Sequence, residues 1–268
     1  MEQNQNATSR PLALITGASS GIGYELAKVF AMEGYDLLVT AEDDAITRIT
    51  PEFEEIGVQV ECVLADLATY EGVEDLYGAL KKMGRRLDVV AINAGVGVGG
   101  DFARETALED ELNLIQLNVT SSVHLAKRIV KDMVAQGHGR ILFTSSIAAT
   151  MPAPFEAVYG ASKAFLLSFS EALRNELKDS GIIVTALMPG PTETNFFHRA
   201  GMDDTKVGQS KKDDPAEVAR QGYEALMAGK DHVVAGSMTN WLHAAAAKVL
   251  PETVKATAHR RLSEKASH

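Results

Sequence analysis

Cysteine is almost missing from this chain: of 268 residues only Cys62 is one. A single thiol closes no disulfide within a chain, so the fold must rest on a packed core, and the usage fits a reducing compartment. Cys62 stands in the apolar run 58–64, where a free thiol behaves as a small hydrophobe, so a buried strand position is expected. Positive charge is also short. Lys and Arg number 26 against 36 Asp and Glu, a net charge of −10. Nucleic-acid binding rests on cations that neutralise phosphates, so that class is set aside. No apolar run of about 20 residues exists, and no membrane span is expected. Residues 1–10 are polar, without the apolar segment of a secretory signal, which predicts a flexible tail and a cytoplasmic protein. The 7 histidines are scattered, with none of the paired spacings of zinc sites, so no metal site is expected.

What is present is an ordinary globular composition, 46% apolar, in a length that α/β folds fill as one domain. Short apolar runs at 12–16, 34–40, 58–64, 87–92, 140–146, 182–188 and 231–236 read as strands. Helical patterns lie between them at 24–33, 70–83, 108–130, 159–178 and 215–227. Such alternation predicts a single-domain Rossmann-type doubly wound parallel sheet, with helices on both faces, over 11–236.

Two stretches carry chemistry. The first strand runs into Gly17-Ala18-Ser19-Ser20-Gly21-Ile22-Gly23 and then a helix. Glycines let backbone N–H groups approach a pyrophosphate, and the helix N-terminus favours its charge. The spacing Gly-x-x-x-Gly-x-Gly is looser than the usual dinucleotide fingerprint, and such a turn can also be purely structural. The second stretch is Tyr159-Gly160-Ala161-Ser162-Lys163, with Ser146 thirteen residues before it. Four residues apart on a helix, Tyr159 and Lys163 share a face. An ammonium beside a phenol favours the phenolate and makes it a usable acid and base near neutral pH. Taken alone, the spacing also suits a surface helix.

Together these segments resemble the short-chain dehydrogenase/reductase family, in order and spacing, over roughly 12–236. The resemblance rests on TGASSGIG at 16–23, Asn93-Ala94-Gly95, Ser146, Tyr159-x-x-x-Lys163 and Pro189-Gly190. It implies an NAD(P)-dependent oxidoreductase that interconverts a ketone or aldehyde and an alcohol. Tyr159 is then the general acid and base, Lys163 lowers its pKa and holds the ribose, and Ser146 orients the substrate oxygen. Asn118, 41 residues before the tyrosine, disturbs its helix and completes a proton relay. The cofactor contacts implied are Gly17, Ser19, Ser20, Gly21, Ile22 and Gly23 in the loop, and Glu42 at the ribose. Asp66 and Leu67 meet the adenine, and Asn93, Ala94 and Gly95 back the cleft. Pro189, Gly190, Thr192 and Thr194, with Thr194 preferred, meet the carboxamide, while Tyr159 and Lys163 reach the ribose. For Asp66 a helix N-cap is an equal alternative. The acidic run Glu42-Asp43-Asp44 should repel a 2′-phosphate, so NAD(H) is favoured over NADP(H). Capping of the next helix is compatible with that role.

Beyond the sixth strand the pattern breaks. Residues 195–214 read as a substrate lid, with Phe196, Phe197 and Met202 either lining the site or packed on the core. Residues 237–268 form an extension expected to be helical, packed on or swapped from the same domain, with membrane contact disfavoured. The resemblance also implies a homodimer or homotetramer through the helices bearing Asn118 and Tyr159. The other functional class consistent with these motifs is a dinucleotide-sensing regulator or scaffold without turnover.

Overall fold

The computed structural model describes residues 10–247 and 250–266. The tail expected over 1–10 therefore lies, Arg10 apart, outside the described residues. The elements are β1 (Leu12–Thr16), α1 (Gly21–Met32), β2 (Asp36–Ala41), α2 (Ala45–Glu55), β3 (Val60–Leu64), α3 (Tyr70–Lys82) and β4 (Val89–Ile92). There follow α4 (Leu108–Ile115), α5 (Ser121–Gln136), β5 (Gly139–Thr144), α6 (Ala157–Glu176) and β6 (Ile182–Pro189). The chain continues through α7 (Phe196–Arg199), α8 (Lys206–Gln209), α9 (Pro215–Met227), β7 (His232–Ala235), α10 (Met238–Ala247) and α11 (Glu252–Ser263).

The strands form one sheet in the order β3-β2-β1-β4-β5-β6-β7, with every pairing parallel. Side chains alternate across it as strand geometry requires. Leu12 and Leu14 enter the core under α3, α5 and α6, whereas Ala13 and Ile15 enter the core under α1, α2 and α9. Burial on both faces explains why the strands read as continuous apolar runs. The order reverses between β1 and β4, and open parallel sheets bind ligands at such a switch, beyond the C-terminal strand ends. All the loops singled out by the sequence converge there.

Three expectations need correction. Cys62 is half-buried, because β3 is the edge strand and is paired on one side only, with β2. The helix expected over 108–130 is two helices joined by a π-helical turn, Gln116–Thr120, and it runs on to Gln136. Asn118 lies in that turn, where its side chain bonds to the main chain of Val96, and the Ser121 and Ser122 hydroxyls take the Leu117 and Asn118 carbonyls. Finally, 195–214 is less irregular than expected, since two one-turn helices organise it. Its Thr205 forms an antiparallel bridge with Lys265, so the extension is stitched to this segment.

Candidate active site

A cavity of about 330 Å³ opens at the strand ends, bounded by the glycine-rich loop, the end of β5, α6, the end of β6, α7 and α11. Its loop wall is made of backbone. Gly21 has φ +57°, and a Cβ there would lie 3.0 Å from the Thr194 methyl. At Gly23 a Cβ would come within 2.0 Å of the Gly17 carbonyl oxygen and 2.6 Å of Asn93 Nδ2. Only glycine permits that approach. Ser20 does not cap α1 with its side chain, so the first-turn N–H groups of a twelve-residue helix lie free at the cavity wall. Helix N-terminal donors beside a loop with glycine at 17, 21 and 23 fit the pyrophosphate of a dinucleotide.

Asn93 braces this wall. Its Nδ2 donates to the Thr16 carbonyl at 3.1 Å, and its Oδ1 accepts from Thr144 Oγ1 at 3.0 Å, tying β1, β4 and β5 together. Thr16 Oγ1 in turn accepts from the N–H groups of Asn93 and Ala94, both at 2.9 Å. Of the residues expected at the cofactor, Ser20, Gly21, Ile22, Gly23, Asn93, Tyr159, Lys163, Pro189, Gly190, Thr192 and Thr194 line the cavity. Gly17, Ser19, Glu42, Asp66, Leu67, Ala94 and Gly95 stand outside it. Gly17 packs against Ala94 and Gly95 against Asn118 and Lys163, Ser19 donates to Asp43, and Leu67 lies in the core.

Asp66 is exposed and accepts from the Ala68 N–H at 2.9 Å. It is not the helix cap, for Thr69 accepts from Gly72 N–H at the start of α3. Glu42 is paired with Arg199 of α7 at 3.0 Å. That contact offsets part of the negative charge on which the ribose argument rests. Asp43, not Asp44, turns the chain into α2 by accepting from Ala45 N–H.

The four residues expected to be catalytic are all buried. Ser145 and Ser146 lie just beyond β5. The Ser145 hydroxyl is spent on the Lys163 carbonyl, while Ser146 caps a short turn by accepting from Ala148 N–H at 3.1 Å and remains at the cavity. Lys163 Nζ donates to the Thr144 carbonyl at 2.9 Å and stands 5.7 Å from the centre of the Tyr159 ring. Asn118 Nδ2 donates to Ser162 Oγ at 3.1 Å, which links the π-helical turn to α6 behind the lysine. Burial dominates the electrostatics. It pushes the Tyr159 phenol well above its ordinary value, opposed by the hydrogen bond from Ser146 and reinforced by the Glu156 charge. It also lowers the Lys163 ammonium to about 8. The depressed phenol expected from Tyr-x-x-x-Lys is thus reversed here, because burial penalises phenolate and ammonium alike.

Of the two alternatives left open for the aromatic residues after β6, Phe196 and Phe197 take the first and line the cavity, and the Phe196 ring lies 5.1 Å from that of Tyr159. Met202 instead packs under Phe197 and Ala200. His198 is exposed and pairs with Asp203. Glu156, Lys255, His259 and Ser263 also line the cavity, and none was singled out. Glu156 carried a signal, as a lone acid in the uncharged stretch 141–162. The α11 residues carried none.

A parallel seven-stranded sheet with a glycine loop at its switch point defines a dinucleotide-binding α/β enzyme. The model of the short chain dehydrogenase family matches residues 11–205. Oxidoreductase UcpA of Salmonella typhimurium is 33% identical over 215 residues, 80% of this chain and 79% of that protein. The NADP-dependent 3-hydroxy acid dehydrogenase YdfG of Salmonella typhi is 29% identical over 80% of this chain and 87% of its own. A short-chain dehydrogenase from Sphingobium yanoikuyae, solved in complex with NADPH, superposes with a TM-score of 0.78 at 33% identity, covering 84% of this chain and 87% of that one. The chain belongs to the short-chain dehydrogenase/reductase family and is an NAD(P)-dependent oxidoreductase.

Proposed function

We propose that the chain reduces a ketone or aldehyde, or oxidises the matching alcohol, with Tyr159 as the general acid and base. The supporting observation is that Ser146, Tyr159 and Lys163 share one cavity with the glycine loop. The nicotinamide, when bound, supplies or accepts the hydride. Gly21 to Gly23 and the α1 N-terminus would hold its pyrophosphate, Lys163 its ribose, and Thr192 and Thr194 its carboxamide. Ser146 would donate a hydrogen bond to the substrate oxygen and hold it against the phenol. The protonated phenol would give its proton to the substrate oxygen in the reducing direction, and the phenolate would take it back in the oxidising one. Asn118, bonded to Val96 and Ser162, would hold the relay behind Lys163 in place.

NAD(H) over NADP(H) is the finer proposal. Three carboxylates, Glu42, Asp43 and Asp44, stand at the end of β2 against one guanidinium, Arg199. The names of the NADP-dependent and NADPH-bound relatives point the other way, and Arg199 is the residue on which that alternative rests. We also propose residues 195–214 as the substrate lid over a catalytic domain spanning 11–236. The cytoplasm remains the proposed location, and no helix among the described residues is long and apolar enough to cross a membrane. Exposed Leu108, Leu112 and Ile115 on α4 and Phe165 on α6 support the homodimer or homotetramer, which light scattering would test.

The deciding experiment is binding and turnover of NADH and NADPH with a panel of ketones and aldehydes, on wild type and Tyr159→Phe. Turnover that the variant loses while still binding the dinucleotide supports the reading. Undiminished turnover in the variant refutes it. Dinucleotide binding with no turnover on any carbonyl would favour the regulator.

A further inference from the structure

The tetrad leaves unexplained a buried polar cluster in the same cavity. Glu156 stands three residues before Tyr159, at the entry to α6, and His259 and Ser263 stand one turn apart on α11. All three are buried and line the cavity. Ser263 Oγ donates to Glu156 Oε2 at 2.9 Å and lies 3.3 Å from His259 Nδ1, while His259 Nε2 lies 3.5 Å from the same carboxylate oxygen.

The backbone is strained to put Glu156 there. Phe155, immediately before it, has φ +66°, and among the described residues it is the one non-glycine residue in the left-handed region. A bulky aromatic adopts that conformation only where its surroundings impose it, and such outliers gather at functional sites. Here the Phe155 carbonyl accepts from Gly100 N–H at 2.8 Å, and the Arg260 guanidinium covers its ring at 4.8 Å. The loop after β4 and α11 thus hold one strained residue between them.

Among the described residues Glu156 is the one carboxylate lining the cavity, and the cations that line it, Lys163, Arg199 and Lys255, are engaged with the Thr144 carbonyl, Glu42 and Glu252. Met151, Phe196, Phe197, Leu250, Ala258 and Leu262 supply much of the remaining wall. Among the described residues its one ion-pair neighbour is His259, which burial keeps toward the neutral form. Lys255, nearer the start of α11, commits its ammonium to Glu252 at 2.5 Å. A buried acceptor without a full cation opposite it favours a neutral donor and repels an anion.

We infer that Glu156, steadied by His259 and Ser263, anchors a hydroxyl group on the substrate. The substrate class is a neutral hydroxy-ketone or the corresponding diol, with an apolar body between the two oxygens. Its reacting oxygen sits at Ser146 and Tyr159, and its second hydroxyl donates to Glu156. This inference rests on the dehydrogenase reading and deepens it. Glu156 acts on specificity and takes no proton from the reacting carbon or oxygen.

The test uses three ketones of equal length whose tails end in a hydroxyl, a methyl or a carboxylate. Values of kcat/KM are measured on the full chain as wild type, Glu156→Gln and Glu156→Leu, with dinucleotide binding by fluorescence as the control for folding. At pH 8 and above, past the range in which Glu156 holds a proton, wild type should favour hydroxyl over methyl by about tenfold or more, the size of one charge-assisted hydrogen bond, and should reject the carboxylate. Glu156→Leu should invert the hydroxyl-to-methyl order. Glu156→Gln, which keeps an acceptor without the charge, should retain the hydroxyl preference and admit the carboxylate. Tyr159-dependent turnover in wild type that is blind to the hydroxyl overturns this inference and leaves the dehydrogenase reading standing. An unchanged preference in Glu156→Leu does the same. Absence of turnover on all three ketones, with dinucleotide binding intact, counts against both.

Discussion

The two halves of the cleft are built on different principles. The half proposed to hold the cofactor is mainly backbone: the loop 17–23, the Asn93 brace and the turn after β6 are short contiguous segments whose glycines are fixed by close approach. The half proposed to hold the substrate is mainly side chain. It takes Glu156 from the entry to α6, Phe196 and Phe197 from α7, and His259 and Ser263 from α11, and the Thr205–Lys265 bridge joins the last two regions. Backbone sites tolerate few alternatives, whereas side-chain sites are rewritten by single substitutions. On the proposed function, the difference separates a wall fixed by backbone approach from a wall open to change in substrate selection.

The two halves meet at Tyr159, and the largest effect is expected there. Tyr159→Phe removes one hydroxyl and leaves the ring against Phe196. General acid–base groups typically contribute 10²–10⁴-fold, so kcat should fall by about that factor while dinucleotide affinity changes little. Pre-steady-state hydride transfer and fluorescence titration separate the two readouts. A variant that loses both in proportion would make Tyr159 part of the cofactor wall instead of the reacting centre.

The next effect tests whether the cofactor half is as rigid as its contacts imply. Gly23→Ala would drive a methyl to 2.0 Å from the Gly17 carbonyl oxygen, a backbone atom that no rotamer change can move. Overpacking of this kind costs about 1–3 kcal/mol, which lowers Tm by about 2–6 °C in a chain of this size. On the opposite wall, Leu262 is 48% exposed, and Leu262→Ala should cost less than about 1 kcal/mol. Equal losses of Tm in the two variants would erase the distinction between a rigid and a replaceable wall.

Proton linkage should distinguish the halves as well. Burial raises the Glu156 carboxyl from 4.5 to about 7, against the hydrogen bond from Ser263. The folded state therefore binds this proton more tightly than the unfolded state does. Its contribution to stability is complete below the unfolded value and is lost as pH rises through about 7. The displacement is worth about 3 kcal/mol at most. His259, lowered by burial, acts with the opposite sign as pH falls through its ordinary range. Glu156→Gln should accordingly gain on wild type between pH 5 and pH 8 in denaturant unfolding. Parallel curves for the two proteins would mean that Glu156 ionises in the fold without penalty.

The same contrast explains what could be read from the amino acids. The sheet, its parallel order and the glycine wall were legible because burial on both strand faces and obligatory glycines leave direct marks on sequence. Asn118 was legible through the resemblance, by its separation of 41 residues from Tyr159, whereas its bonds to Val96 are made through the fold. Arg199 and His259 were not legible. Each acts through a partner far away in sequence, Glu42 in one case and Glu156 in the other, and no local pattern records such a pairing. Tyr159 was identified by spacing, but the direction of its electrostatic shift came from burial that spacing does not reveal.

The smallest effect lies where the halves touch across the ribose position. Arg199 belongs to α7 on the substrate side, yet it pairs with Glu42 at the end of β2 on the cofactor side, and both side chains are about half exposed at 45% and 51%. Exposed pairs are worth about 0.2–1 kcal/mol, so Arg199→Ala should leave stability almost unchanged. Its consequence is for selectivity. Freed of its partner, Glu42 presents a full carboxylate, and the NADH-to-NADPH ratio of kcat/KM should rise by about two- to fivefold, more at low ionic strength than at high. Glu42→Ala should move the ratio the other way, since it leaves the guanidinium free to meet a 2′-phosphate. If Arg199→Ala instead leaves the ratio unchanged, the pair is a lid fastening with no part in reading the cofactor, and the boundary between the two halves runs between α7 and β2.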